Sequence, residues 1–418
     1  MRRIVLFLSV VGVLFSISCG SGSSSSSSTT TGPTSKIAKR AFVSNQATNV
    51  IEIVDAAKDS LPTNTTTGAA FTISAGFSPT LMLETQDKKE TIVYGSSSNT
   101  LGVINNSTET VSASVNLSNP TESFVISNDN RFLFIAERNT IPTGAARAGA
   151  VEIFDLNNLS AGSTFVAVAG ARRVVLSHNG STLLVFSDDS TPIVSSTPNN
   201  TKVFFINTAS TASGATAVPG FDNPVFAVFT SDDSTAYVLN CGAECGGTTA
   251  SVSAVSVSLQ AITATTPALP AARIGLLNGT TLYVAGTTLG SGQLSAVNVS
   301  SMTQIGSSVS IPDGVHDRIA LGSNGKLFVG ARACSNTTQG CLAIYDTAAN
   351  TVVIHGPYGS GFGTTLPGDI TALEPIPGRN VVYVCEGGAL RIYDTTTNTL
   401  QTTQITIAGK DVDVKEVF

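Results

Sequence analysis

From residue 41 onward, short apolar runs alternate with clusters of Gly, Asn, Asp and Ser, and one pair of runs recurs eight times. The first member reads Ala41-Phe42-Val43-Ser44-Asn45, Ile92-Val93-Tyr94-Gly95, Leu133-Phe134-Ile135-Ala136-Glu137 and Leu183-Leu184-Val185-Phe186 in the first four copies. It continues as Ala236-Tyr237-Val238-Leu239-Asn240, Leu282-Tyr283-Val284-Ala285, Leu327-Phe328-Val329-Gly330 and Val382-Tyr383-Val384-Cys385. The aligned column from Phe42 to Tyr383 repeats every ~49 residues, the length of one four-stranded repeat unit. The second member alternates in polarity and closes on Asp or Asn, as in Ile51-Glu52-Ile53-Val54-Asp55, Val151-Glu152-Ile153-Phe154-Asp155 and Leu342-Ala343-Ile344-Tyr345-Asp346. Such alternation predicts a strand with two unlike faces. The closing side chain can accept backbone N–H groups two residues on and so start a turn.

Most first members follow another apolar run and a tight turn, such as Val174-Val175-Leu176 before Ser177-His178-Asn179-Gly180. Turns rich in Asn-Gly and Asp are hairpin chemistry. Ser/Thr/Val stretches such as residues 111–117 supply a fourth strand per unit. A lone four-stranded unit cannot hide its apolar faces, so the units must stack around an axis. The expected fold is all-β: a single β-propeller over residues 38–418 with about eight four-stranded blades. Seven remains the alternative if one degenerate hairpin is an insertion; the glycine-rich residues 286–292 are one such departure. Asp411-Val412-Asp413-Val414-Lys415-Glu416-Val417-Phe418 reads as one further strand, and the first unit lacks a leading strand. The C-terminal strand is therefore expected to complete the first blade and remove an open edge.

The units resemble the YVTN-type repeats of β-propellers, the group that includes 6-phosphogluconolactonase-like proteins. Tyr237-Val238-Leu239-Asn240 and Phe42-Val43-Ser44-Asn45 come nearest to the Tyr-Val-x-Asn element, and Ile344-Tyr345-Asp346-Thr347 resembles its Val-Ile-Asp-Thr element. The resemblance implies the fold. For function it implies one alternative, a lactonase-like hydrolase of a small anionic lactone.

Composition narrows the picture. Charged residues make up 12%, Trp is absent and Gly numbers 38, which favours strands and turns over amphipathic helices. The net charge of −6 comes without a basic patch, which excludes nucleic acid as an expected partner. Residues 1–18 read as a signal peptide: Arg2 and Arg3, then an apolar run over 4–17, too short for a comfortable span. Ser16-Ile17-Ser18-Cys19 resembles a bacterial lipobox and implies lipidation of Cys19; an ordinary signal peptide cleaved near Cys19 is the alternative. Residues 19–37 then form a lipidated cysteine and a Gly/Ser/Thr tether, whose sixteen-residue tract (20–35) spans about 20–25 Å as a flexible coil. The expected address is the cell envelope, periplasmic or on the outer surface of a bacterium, with the membrane as a partner through the lipid.

Cys241 and Cys245, and Cys334 and Cys341, fall in loops between the two signature strands; in an exported chain they are expected to form two disulfides. A metal site is the rival, but His178, His316 and His355 stand at no ligand spacing to either pair. Cys385 is left over as a buried thiol. No metal or cofactor is expected.

In a propeller of this topology, the loops joining the signature strands share a face, the top, with the links between blades. The tight turns fall on the opposite face. The long top loops are expected to carry function. Arg172, Arg173, Arg273, Asp317, Arg318 and His316 start inner strands near the channel mouth, with Glu137 and Glu386 close by. Arg273, Arg318, His316 and Glu137 are the candidates for a lactone or anion site, with a carboxylate or His316 as base. The competing reading pairs these charges with one another around a wet channel. With no nucleotide loop or nucleophile elbow in view, the leading expectation is a monomeric binding or scaffold module that engages a protein, glycan or small molecule through its top face.

Overall fold

The computed structural model describes residues 35–191, 198–335, 340–356, 366–407 and 411–417. Its strands form eight four-stranded antiparallel sheets set in a ring, a β-propeller. The leader and Cys19 lie outside the described residues. In the third blade, the inner strand Thr121–Ile126 is followed by Phe132–Glu137, Ala150–Asp155 and the outer strand Ser163–Ala167. The two signature runs are thus the middle strands, buried on both faces between neighbouring blades, whereas outer strands such as Thr110–Asn116 stay partly exposed.

Turn chemistry follows the residues. Asp346 Oδ1 accepts from the N–H groups of Ala348 (2.9 Å) and Ala349 (3.0 Å), and Asp394 Oδ1 from those of Thr396 (2.7 Å) and Thr397 (2.9 Å). Asn350 and Asn398 close these turns at φ 59°, a left-handed conformation that Asn tolerates. The glycine-rich stretch 286–292 belongs to a regular hairpin, Thr281–Thr288 with Ser291–Asn298.

The core lies between blades. Leu184, Phe186 and Phe205 of the fourth blade pack on Ala227, Phe229 and Val238 of the fifth. Each buried side chain of this size contributes about 1.5–3 kcal/mol. Closure is a strand exchange between chain ends: Arg40–Asn45 pairs with Asp411–Val417, Val43 opposite Val414 and Arg40 opposite Val417. Arg40 also reaches Glu109 Oε1 (2.7 Å) and Asn106 O (2.9 Å) on the second blade. On the bottom face the turns are laced together. Gln86 Nε2 donates to Asn128 Oδ1 (2.8 Å), Asn128 donates to the His178 carbonyl, and His178 Nδ1 stands 2.8 Å from Asp233 Oδ1.

Both expected disulfides are present, Cys241–Cys245 and Cys334–Cys341, and Cys385 is a buried free thiol.

Candidate functional site

Six inner strands begin with the same irregularity, the closing strand Asp411–Val417 among them, where Val43 pairs with Val414 but Asn45 with Asp411. Against the second strand, the register skips one residue at Glu122, Arg172, Val225, Asp317 and Thr371, the mark of a β-bulge. A bulge leaves one residue unpaired and breaks the alternation of side chains. Successive residues can then face the same way, and the pairs Thr121-Glu122, Arg172-Arg173, Pro224-Val225 and Asp317-Arg318 all line one cavity at the top of the central channel. Its volume is about 890 Å³. Arg273 enters from the residue before the inner strand Ile274–Asn278, and Arg332 from the end of Lys326–Arg332.

Most charges on this wall are paired. Arg172 Nε lies 3.1 Å from Glu122 Oε2, and its Nη1 lies 3.9 Å from Asp188 Oδ2. Arg273 Nη1 donates to Glu244 Oε1 (3.2 Å), and Glu244 also accepts from Thr287 N–H (2.8 Å). Burial raises the Glu244 pKa. The loop carrying Glu244 is stapled by Cys241–Cys245, and Cys245 is itself part of the wall. Asp317 Oδ2 holds Arg332 Nη2 at 2.6 Å and Arg318 Nη1 at 3.6 Å. Asp369 accepts from the N–H groups of Ala333 (2.6 Å) and Leu366 (3.0 Å).

Arg173 differs. Its guanidinium stands 5.3 Å from the Phe226 ring centroid and makes no hydrogen bond or ion pair with a described residue. Burial, and then the charges of Arg318, Arg273 and Arg172, push its pKa down to about 10, against the pull of Asp317.

The expected candidates separate. Arg273 and Arg318 meet in the cavity, as do Arg172, Arg173 and Asp317. His316 is 1% exposed and outside the cavity lining. Its Nδ1 lies 3.3 Å from Thr287 Oγ1, and burial lowers its pKa to about 4, so the ring is neutral. Glu137 is fully buried and also outside the lining. It accepts from Asn119 N–H (3.1 Å) and the Thr140 hydroxyl, and burial together with Glu152 pushes it up to about 8. Glu386 is buried likewise against Tyr393. These carboxylates end second strands, one position deeper in the sheet than the bulged residues, which explains why they face blade interiors. The expectations passed over Glu244, Asp188, Arg332 and Asp369. They also passed over Glu122, whose signal was a pair of adjacent polar residues, Thr121-Glu122, at the head of an apolar strand; the other four arrive from loops and strand ends, which carry no such mark. Among the described residues, no three His, Cys, Asp or Glu side chains gather as a metal site would require.

Structural comparison agrees on the fold. The chain superposes on NirN, described as dihydro-heme d1 dehydrogenase in complex with DHE, with a TM-score of 0.61 at 12% identity over 89% of this chain and 73% of that one. The Dos1 propeller gives 0.57 at 9% identity over 79% and 85%. The Cps50 (Swd1) β-propeller domain of Myceliophteria thermophila gives 0.51 at 11% identity over 76% and 96%. No family model matches the chain and no curated protein matches it in sequence. The class is therefore defined by architecture, an eight-bladed β-propeller with a charged cavity at one mouth of its channel.

Proposed function

We propose that this chain is an exported, lipid-anchored binding propeller that takes its ligand into the top-face cavity. The cavity itself carries the reading: about 890 Å³ lies within the range of small-molecule sites, on a wall whose side chains are largely fixed by one another. Fixed polar groups on a rigid scaffold lower the ordering cost of binding. The envelope address and the anchor rest on Arg2, Arg3, the apolar run 4–17 and Cys19, and the YVTN kinship rests on the Tyr237–Asn240 and Ile344–Thr347 elements. The chain enters its first strand at the bottom face, where Arg40 pairs with Val417 and Ser35 bonds Glu109. The protein is proposed to act as a monomer.

The hydrolase alternative needs a free base beside the arginines. Glu244 and Asp317 each hold a guanidinium, Asp369 is tied to the N–H groups of Ala333 and Leu366, and His316 is buried away from the cavity, so binding is the better supported reading.

The test fills the cavity. Gln46 and Ser96 lie on its wall, and a Gln46→Trp/Ser96→Trp variant should fold as the parent does and lose stabilisation by cavity ligands. In a thermal-shift screen, compounds that raise the melting temperature of the wild type should fail on the variant. Equal shifts on both proteins, or no shift by any compound, would count against the cavity. For the anchor, wild-type protein should partition into detergent and Cys19→Ala should not; a Cys19→Ala protein that stays with the membrane rules out lipidation.

A further inference from the structure

The charge balance of the cavity indicates what it takes, an inference that rests on the cavity being the ligand site. Five arginines line it, Arg172, Arg173, Arg273, Arg318 and Arg332, and four of them are held by Glu122, Asp188, Glu244 or Asp317. Arg173 alone among these five makes no hydrogen bond or ion pair with an acid; Asp317 attracts it from a distance, while burial and three other guanidiniums nearby act against its charge. A half-buried cation without a hydrogen-bonded acid is costly, and a partly buried arginine usually meets an anion. Its planar fork stands beside the Phe226 ring, and a guanidinium presents paired N–H groups that match the two oxygens of one acid group.

The remaining wall argues against more than one such group. Glu122, Asp188, Glu244, Asp317 and Asp369 also face the cavity, and the five formal negative charges match the five positive ones. A second or third acid group on the ligand would meet carboxylates. A ligand hydroxyl or amine would instead find acceptors there, among them the exposed carboxylate of Glu122 and the half-buried one of Asp188.

We infer that the cavity binds an organic molecule through one acid group, a carboxylate or a phosphate monoester, seated on the guanidinium of Arg173. The rest of the ligand is uncharged or a hydrogen-bond donor. The seat is electrostatic but half-buried, so added salt weakens it, though less than it would an exposed pair.

Titration calorimetry at low salt can test this with benzoate, phenyl phosphate and trimesate, which carry one carboxylate, one phosphate and three carboxylates. Benzoate or phenyl phosphate should bind the wild type, and whichever binds tighter names the natural acid group. Trimesate should bind no tighter than benzoate despite its higher charge. Arg173→Met should weaken the tighter probe by at least about tenfold, the factor supported by one charge-assisted hydrogen bond. Arg173→Lys, which keeps the charge without the fork, should fall between. Lys89→Met on the bottom face should change nothing. If Arg173→Met does not fold, Arg173→Lys and the wild-type probe series carry the test. Undiminished binding in Arg173→Met, or trimesate far ahead of benzoate, overturns the inference. If only neutral compounds bind, and do so in a manner lost in Gln46→Trp/Ser96→Trp, the seat is wrong and the cavity reading survives. If nothing binds, both fail.

Discussion

Glu386 has no exposed surface and one side-chain partner, the Tyr393 hydroxyl at 3.1 Å. Burial pushes its carboxyl up to about 8 from an ordinary 4.5, and Asp411 is also pushed up to about 8. A carboxyl of this kind binds its proton more tightly in the folded chain. Its stabilising contribution is present in full below the unfolded value and is lost as pH rises through about 8. The melting temperature should therefore be higher at pH 6 than at pH 9, and Glu386→Gln should flatten that slope. Scanning calorimetry across the range checks it; a midpoint that climbs toward pH 9 would refute the assignment. Glu137 and Glu386 were visible in the sequence as polar residues ending apolar strands. Their depth was not, because period-two alternation tells which face a residue takes and says nothing of what covers it.

Among the elements, the middle strands were the most legible. Their apolar runs survive in every blade because both faces are buried, and the Asp and Asn residues that close them make the expected turns. The bulges were harder to read, since a one-residue slip leaves no gap in the sequence. Hairpin Thr281–Thr288/Ser291–Asn298 looked irregular because glycine and threonine blur its pattern, yet its register is unbroken. Close approach between blades sets another local rule. A Cβ on Gly330, in the strand Lys326–Arg332, would stand 2.7 Å from Ile370 Cβ and closer still to Ile370 Cγ2, on the next blade's inner strand. Gly330→Ala should thus destabilise the protein by about 1–3 kcal/mol, as overpacking does. Urea unfolding measures it, and a change below about 0.5 kcal/mol would mean that the blades yield there.

For the whole molecule, the number of blades and the manner of closure could be read from the repeat and from the unmatched last strand. The lacing of bottom turns through Gln86, Asn128, His178 and Asp233 could not, since it joins residues some fifty apart that only the ring brings together. The cavity stands between these extremes. Its arginines were visible at the strand heads, but which of them lacks a partner depends on Glu244 and Arg332, which arrive on separate loops. Removing residues 411–418 should expose the strand Arg40–Asn45 as an open inner edge and lower the melting temperature by about 10 °C or more, with aggregation. A truncated protein that melts within about 2 °C of the full chain would show that the seal matters little.

That seal also sets a timetable. The innermost strand of the first blade follows all the other propeller strands in sequence, so the propeller stays an unsealed arc until Asp411–Val417 is available to pair with Arg40–Asn45. The step that locks the ring therefore joins strands that stand at opposite ends of the propeller's sequence, and no blade-by-blade growth can substitute for it.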